Sequence, residues 1–192
     1  MSLLSAIVLG LILGLALRGD PRRLGQLPLR WNALVFASLA IQLVLFTGLT
    51  LPRAVVTVLY LLSGALGIAW LIRNLRIPGM VGVLAGGLSN FIAIAANGGR
   101  MPIEPGLLAQ TRDAAYVRAL AAGTVTSNSS LADGHTPLRW LTDQILIPRP
   151  WPLPTVLSVG DVIIALGVIW LIAWGMRPAK EPSIEERAGR AA

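Results

Sequence analysis

The sequence contains no cysteine and few charged residues, and both absences narrow the possible classes of protein. Without cysteine the chain has no disulfide, no thiolate metal site and no cysteine nucleophile. Only 13% of the 192 residues are charged, whereas about a quarter is usual in soluble domains. Hydrophobic residues make up 55% of the chain. The composition therefore argues against a water-soluble fold.

Recognisable catalytic motifs are also missing. His135 is the single histidine, so the pairs of histidines that bind catalytic metals cannot occur. Neither the G-x-S-x-G nucleophile motif nor a phosphate-binding P-loop is present. We interpret His135, beside Gly134, as a surface residue, and an acid–base pair with Asp133 or Asp143 is the alternative. The sequence predicts neither a metal nor another cofactor.

Five apolar stretches are long enough, or nearly so, to cross a membrane as helices. A spanning helix requires about 20 apolar residues, and the strongly polar side chains inside these stretches include Gln42, Asn90 and Asp161. No basic residue precedes the first stretch, which favours a retained span over a signal peptide. The expected spans are residues 1–17, 31–51, 54–72, 78–96 and 155–176. The sequence thus predicts an all-α integral membrane protein with five transmembrane helices.

Basic residues indicate how these spans are oriented. The chain has 16 basic and 9 acidic residues, and many basic residues follow spans one, three and five. Because cytoplasmic loops carry an excess of arginine and lysine, we expect the amino terminus outside and the carboxyl terminus inside. Residues 97–154 then form an extracytoplasmic helical cap within a single domain over 1–176, and 177–192 form a disordered cytoplasmic tail. Topology accounts for the basic excess, so the expected partner is the lipid bilayer and not nucleic acid.

Small residues recur where the helices are expected to touch. Gly10 and Gly14 in the first span, and Gly82 and Gly86 in the fourth, have the spacing that permits close helix packing. We interpret the polar side chains of the spans in the same way, as hydrogen bonds across the bundle. The alternative is a polar cavity for a solute, lined by Gln42, Tyr60 and Asn90.

The segment between spans four and five is expected to be mostly helical. Residues 102–123 mix leucine and alanine with charged residues and are predicted to form one helix, too polar to span the membrane. Residues 137–147 are predicted to form a second, short helix, followed by a stiff proline-rich connector over 147–154. Ser158 and Asp161 have the spacing of a capping box at the start of span five.

The turn after span four has two interpretations. Asn97, Gly98 and Gly99 tolerate the left-handed conformation that ends a helix, and Pro102 prevents its continuation. In the other interpretation, the exposed backbone amides and Arg100 form a small anion-binding turn.

Three blocks of residues, 90–102, 141–148 and 157–161, resemble the signature blocks of a known family. The first block ends in N-G-G-R-M-P and the last contains S-V-G-D. They resemble a family of small bacterial multi-pass membrane proteins that is classified as a domain of unknown function, and the resemblance covers nearly the whole chain. It implies a single-domain integral protein of a bacterial cytoplasmic membrane. It implies no activity and no catalytic residue.

The most distinctive polar residues collect near the predicted outer surface. We hypothesise that they form one polar cluster that ties the cap to spans four and five, with Arg100 paired to Asp143 or Asp161. The candidate cluster consists of Asn90, Asn97, Gly98, Gly99, Arg100, Asp143 and Asp161.

Three classes of function fit these observations. The favoured one is a non-enzymatic membrane subunit or scaffold, which binds a membrane-protein partner or a second copy through its glycine faces or its cap. The second is a transporter or channel for a small solute or anion, weakened by the odd number of spans and the lack of an internal repeat. The third is an enzyme acting on a lipid-linked or extracytoplasmic substrate, with Asp143, Asp161 or His135 as acid or base.

Overall fold

Five long helices dominate the computed structural model, which describes residues 3–47, 51–123, 128–151 and 153–177. They are α1 (Leu3–Ala16), α2 (Asn32–Phe46), α3 (Arg53–Arg73), α4 (Met80–Ala96) and α7 (Val159–Gly175). The predicted mostly helical fold is thereby confirmed, with one helix in each apolar stretch. The tail predicted to be disordered lies, from residue 178 onward, outside the described residues.

The segment between α4 and α7 contains strands as well as helices, so the all-α prediction is wrong there. Two short helices, α5 (Pro105–Leu108) and α6 (Ala114–Ala121), stand where one helix was expected. The strands are β1 (Met101–Ile103), β2 (Ser129–Leu131), β3 (Ile145–Ile147) and β4 (Thr155–Leu157). β1 pairs with β2 in parallel, and β3 pairs with β4 antiparallel.

Local hydrogen bonds explain these departures from the predicted helices. The helix predicted over 102–123 is interrupted because Asp113 begins a new one, accepting a hydrogen bond from the Tyr116 amide at 2.7 Å. The helix predicted over 137–147 reduces to a 3₁₀ turn at Arg139–Leu141, after which the chain extends into β3. The proline-rich stretch lies between β3 and β4, which pair antiparallel as a hairpin.

The predicted start of α7 and the predicted end of α4 are both confirmed. The Ser158 hydroxyl accepts a hydrogen bond from the Asp161 amide at 2.9 Å, and the Asp161 carboxylate accepts one from the Ser158 amide at 3.1 Å. At the end of α4, Gly98 and Gly99 have positive φ angles of 66° and 85°. Glycine adopts these angles at little cost because it has no Cβ.

The helices lie in a row in the order α2, α3, α4, α7, α1, and glycines bring three of them close together. A Cβ on Gly86 of α4 would clash with the Gly160 carbonyl oxygen of α7. A Cβ on Gly14 of α1 would clash with the side chain of Met176 just after α7. The glycine spacing therefore predicted the close contacts correctly, and it is α7 that both α1 and α4 contact.

Helix length distinguishes α3 from the other long helices. Among the described residues, α3 alone is long and apolar enough to cross a membrane, with 21 residues. The other four are apolar but shorter, with 14 to 17 residues. Length and composition therefore support one membrane-spanning helix and do not support the five that the sequence predicted.

Every long helix exposes large apolar side chains. Each of the five helices has at least one large apolar side chain that is more than 60% exposed, for example Leu4, Leu43, Val58, Val81 and Leu166. Large apolar side chains are therefore exposed along the whole row of helices.

Candidate functional site

An asparagine of α4 and an aspartate of α7 form the centre of the site. The Asn90 amide donates to the Asp161 carboxylate with an Nδ2–Oδ1 distance of 2.7 Å, and the Ser158 hydroxyl donates to Asn90 Oδ1 at 2.8 Å. With the Ser158 amide, the half-buried carboxylate therefore accepts two N–H donors. Its place in the first turn of α7 also puts it at the positive end of the helix dipole.

Asp143 interacts electrostatically with Asp161, but among the described residues its side chain lacks the hydrogen-bond donors that Asp161 has. Its backbone extends the parallel pair of strands, since its amide donates to the Pro102 carbonyl at 3.0 Å and its carbonyl accepts from the Glu104 amide at 3.1 Å. Its Oδ1 atom is buried and has no hydrogen-bond partner in the part of the chain that the structure describes. Burial, and secondarily the charge of Asp161, raises the pKa of Asp143 to about 8. Asp143 therefore carries a proton at neutral pH.

Tyr60 of α3 and Asn128 complete the group. The Asn128 side-chain amide donates to the Tyr60 hydroxyl at 2.6 Å, and the Asn128 carbonyl accepts from the Met101 amide at 2.7 Å. Tyr60 also interacts electrostatically with both carboxyl groups. We call this group the outer polar cluster, and it consists of Tyr60, Asn90, Asn128, Asp143, Ser158 and Asp161.

Four of the seven residues that were expected in one cluster lie instead in the turn after α4, and they are Asn97, Gly98, Gly99 and Arg100. Contacts of the first three fix the position of this turn. The Asn97 side-chain amide donates to the Pro137 carbonyl at 3.0 Å. The Thr57 hydroxyl of α3 donates to the Gly98 carbonyl at 3.1 Å, and Gly99 packs against the Thr57 side chain. These contacts join the turn to α3 and to the cap.

Arg100, the fourth residue of the turn, does not join the carboxyl groups. Among the described residues no ion pair connects Arg100 to Asp143 or Asp161, so the predicted pairing is not formed. Desolvation, together with the positive charge of Arg53, lowers the pKa of Arg100 from its ordinary value. The charge that acts on Arg100 is thus that of another arginine and not that of a carboxylate.

A cavity of about 190 Å³ lies between α2, α3 and α4, next to the outer polar cluster. Gln42, Tyr60 and Asn90 all line it, as the second interpretation of these side chains predicted. The Gln42 amide donates to the Ser63 hydroxyl at 3.3 Å, and the Ser38 hydroxyl donates to the Ser63 carbonyl at 2.8 Å. Hydrogen bonds across the bundle therefore coexist with the cavity, and they hold α2 against α3.

Glycines leave the space that becomes the cavity. A Cβ on Gly67 would meet only the Ser38 hydroxyl, at 3.8 Å, and a Cβ on Gly87 would meet only Leu71 Cδ1, at 3.7 Å. Both are ordinary contact distances, so these two glycines are not needed for close helix packing. The cavity has an apolar side as well, to which Phe91 contributes.

The sequence interpretation missed Asn128 and Ser63. Asn128 lies in a polar stretch without periodicity, and nothing local indicates that it reaches Tyr60, 68 positions away. Ser63 did leave a signal, because it is a polar residue one helical turn after Tyr60 in an otherwise apolar helix.

His135 lies outside the site. It is exposed, and its backbone amide donates to Asp133 Oδ1 at 2.9 Å, as in a surface loop. In the described ranges no group of three or more histidine, cysteine, aspartate or glutamate side chains could hold a metal ion.

Comparison with known proteins identifies a family and no activity. No curated protein and no solved structure matches the chain. A family model described as a family of unknown function (DUF5317) matches residues 26–173. The match begins after α1 and includes the residues of the outer polar cluster and of the cavity. The chain therefore belongs to DUF5317, a family of unknown function, in agreement with the unknown-function classification that its signature blocks implied.

Proposed function

We propose that the protein is an integral membrane protein in which all five long helices cross the bilayer. The apolar side chains exposed on every one of these helices support this, because lipid would cover them. Helices of 14 to 17 residues extend about 21 to 26 Å, whereas the hydrocarbon core is about 30 Å thick. Flanking apolar residues and local thinning of the bilayer make up the difference.

The distribution of arginine supports a bacterial cytoplasmic membrane with the amino terminus outside. At the end of the bundle opposite the outer polar cluster, the Arg23 guanidinium donates to the Arg177 carbonyl at 3.5 Å, which joins the segments that follow α1 and α7. By the positive-inside rule this end faces the cytoplasm. Its described arginines are Arg18, Arg22, Arg23, Arg30, Arg73, Arg76 and Arg177.

The cavity between α2, α3 and α4 is proposed to bind a small solute. The observation that carries this role is that Gln42, Tyr60 and Asn90 line one cavity in an otherwise apolar bundle. An engineered cavity of about 150 Å³ holds benzene, so a small organic molecule fits in about 190 Å³. The Asp161 carboxylate, which accepts a hydrogen bond from the cavity-lining Asn90, disfavours an anion and favours an uncharged or cationic solute.

Helix packing weakens the subunit or scaffold role that the sequence favoured. The glycines of α1 and of α4 that were assigned to a partner pack against α7 of the same chain. They are therefore not available for docking. A membrane-protein partner or a second copy of the chain would have to use the cap or the apolar side chains that the long helices expose.

An enzyme acting on a lipid-linked or extracytoplasmic substrate is the second candidate. The observation in its favour is Asp143, because a buried carboxyl group that keeps its proton at neutral pH is suited to act as a general acid. Solute binding is the better supported role, since it uses the cavity and the cluster together.

Filling the cavity tests the solute-binding role. In Gly67→Leu the added side chain grows into the cavity, because a Cβ there meets only Ser38 at 3.8 Å. Ala85→Leu adds the same side chain to an exposed position of α4 and is the matched control. After purification from membranes in mild detergent, wild type and Ala85→Leu should retain a defined small molecule, detected by mass spectrometry of organic extracts. Gly67→Leu should retain at least tenfold less.

Unfolding temperatures of the three proteins show whether each variant has kept its fold. A solute lost from a folded Gly67→Leu supports the proposal. A solute retained equally by all three proteins, or no enriched solute in the wild type, contradicts it.

A further inference from the structure

A pocket of about 500 Å³ opens at the arginine-rich end of the bundle. We call it the inner pocket, and its lining includes Arg30, Ile72, Arg73, Arg76, Ile77 and Trp174. Three arginines from two separate segments of the chain thus share one pocket with apolar side chains. No acidic side chain is among the described residues that line it.

The charges of these three arginines are not neutralised within the described part of the chain. The one ion pair there joins Arg139 to Glu104, in the segment between α4 and α7. The Arg73 guanidinium lies over the Trp31 ring, 5.3 Å from its centroid, which orients that side chain without reducing its charge. The inner pocket therefore concentrates positive charge that a bound anion would offset.

A buried asparagine holds the two arginine-bearing segments together. Asn74, only 3% exposed, accepts a hydrogen bond from the Arg30 amide at 2.8 Å and donates to the Arg30 carbonyl at 3.0 Å. Its side-chain amide also donates to the Trp70 carbonyl at 2.8 Å. The chain before α2 is thus fixed beside the carboxyl end of α3. The arrangement of Arg30 relative to Arg73 and Arg76 is consequently built into the fold.

We propose that the inner pocket binds the phosphate of an anionic membrane lipid, such as phosphatidylglycerol. Guanidinium groups bind phosphate oxygens through paired, charge-assisted hydrogen bonds, and basic pockets between membrane helices on the cytoplasmic side bind anionic headgroups. A lipid fits better than free phosphate because Ile72 and Trp174, 54% and 40% exposed, offer apolar surface for acyl chains beside the arginines. This inference rests on the proposed membrane location of the chain.

The test compares two variants that remove the same charge. The pocket variant combines Arg30→Gln, Arg73→Gln and Arg76→Gln. The control combines Arg18→Gln, Arg22→Gln and Arg23→Gln, which lie at the same end of the bundle but do not line the pocket. Each protein is reconstituted in nanodiscs of phosphatidylcholine containing phosphatidylglycerol, and retained lipid is measured by native mass spectrometry. The pocket variant should bind phosphatidylglycerol about tenfold more weakly or worse, and the control should bind like the wild type.

Each other outcome overturns the inference in an identifiable way. Equal losses in both variants mean that phosphatidylglycerol responds to overall charge and not to the pocket. Inorganic phosphate that binds the lipid-free protein in detergent and displaces phosphatidylglycerol identifies free phosphate as the ligand. A chain that enters nanodiscs but retains no anionic lipid defeats this inference alone. Failure to enter them at all defeats the proposed membrane function.

Discussion

At the scale of single residues, two aspartates of one cluster have different surroundings. Asp161 accepts hydrogen bonds from Asn90 and from the Ser158 amide, and it caps α7. Asp143 is held by its backbone at the edge of β1, while its buried Oδ1 has no partner among the described residues. The fold thus places hydrogen-bond donors beside the Asp161 carboxylate and none beside Oδ1 of Asp143 among the described residues. This difference raises the pKa of Asp143 well above the ordinary value of an aspartate.

The stability of the protein should depend on the protonation of Asp143. Its pKa is about 8 in the folded chain and 3.8 as an ordinary carboxyl group. Between these values the folded state binds more protons than the unfolded state, so the free energy of unfolding falls as the pH rises, by at most about 1.4 kcal/mol per pH unit. Asp143→Asn stays neutral and should remove this dependence. Unfolding temperatures at pH 5, 7 and 9, followed by tryptophan fluorescence, measure the effect.

Asp133→Asn is the matched control for this prediction. Asp133 is exposed, and hydrogen bonds from the His135 amide and the Thr136 hydroxyl lower its pKa. Its contribution to stability is therefore fully present well above the ordinary pKa of 3.8, including the range from pH 5 to 9, and is lost only as the pH falls below that value. The control should keep the decline between pH 5 and 9. An Asp143→Asn protein that declines like the wild type would contradict the buried, protonated state of Asp143.

At the scale of secondary structure, the sequence predicted the long helices well and the segment between α4 and α7 poorly. Apolar stretches, glycine spacing and the Ser158–Asp161 cap are local patterns, and each appears in the structure. The four strands have three residues each and exist only through pairing. Met101 of β1 pairs with the distant Ser129 of β2, and β3 pairs with β4 across the proline-rich loop. A three-residue strand carries too little periodicity to be recognised without its partner.

Two adjacent glycines of α4 should respond in opposite ways to the same change. In Gly86→Ala the new methyl group would clash with the Gly160 carbonyl and with Ile164 of α7, so α4 and α7 must separate. In Gly87→Ala it meets only Leu71 Cδ1, at 3.7 Å. We expect Gly86→Ala to lose about 1–3 kcal/mol of stability, and Gly87→Ala to be neutral or slightly more stable.

Denaturation in mixed micelles, with the helix signal in circular dichroism as the readout, compares the two alanine variants. Equal stabilities of Gly86→Ala and Gly87→Ala would mean that α4 and α7 are not in the close contact described. The pair shares one residue type, one helix and one substitution. A difference in stability between the two variants is therefore caused by the contact of α4 with α7 and not by helix propensity.

At the scale of the whole molecule, the site combines residues from α3, α4, the cap and α7. The sequence predicted that Asn90 and Asp161 lie near each other, and their side chains are hydrogen bonded across 71 positions. It could not predict which polar residues between α4 and α7 join the cluster. Arg100 is influenced by the charge of Arg53 and stays outside the cluster, whereas Asn128 donates a hydrogen bond to Tyr60. Those choices follow from the strand pairing of the cap, which the sequence does not reveal locally.

The membrane arrangement can be tested in the same cysteine-free chain, because each introduced thiol is the only one present. Gly106→Cys lies in α5 of the segment proposed to be outside, and Gly25→Cys lies in the 3₁₀ helix Pro21–Gln26 at the arginine-rich end. A Cβ at either glycine has open space, so neither change disturbs packing. A membrane-impermeant maleimide should label Gly106→Cys in intact cells, and should label Gly25→Cys only after the membrane is permeabilised.

The expected difference in labelling follows from the number of membrane crossings between the two glycines. In the proposed arrangement α1 brings the chain inside before Gly25, and α2, α3 and α4 bring it outside before Gly106, so three spans separate the two glycines. If the two cysteines are labelled alike in intact cells, either an even number of helices crosses between them or the chain does not span the membrane. Reversed labelling would keep the five spans and invert the orientation.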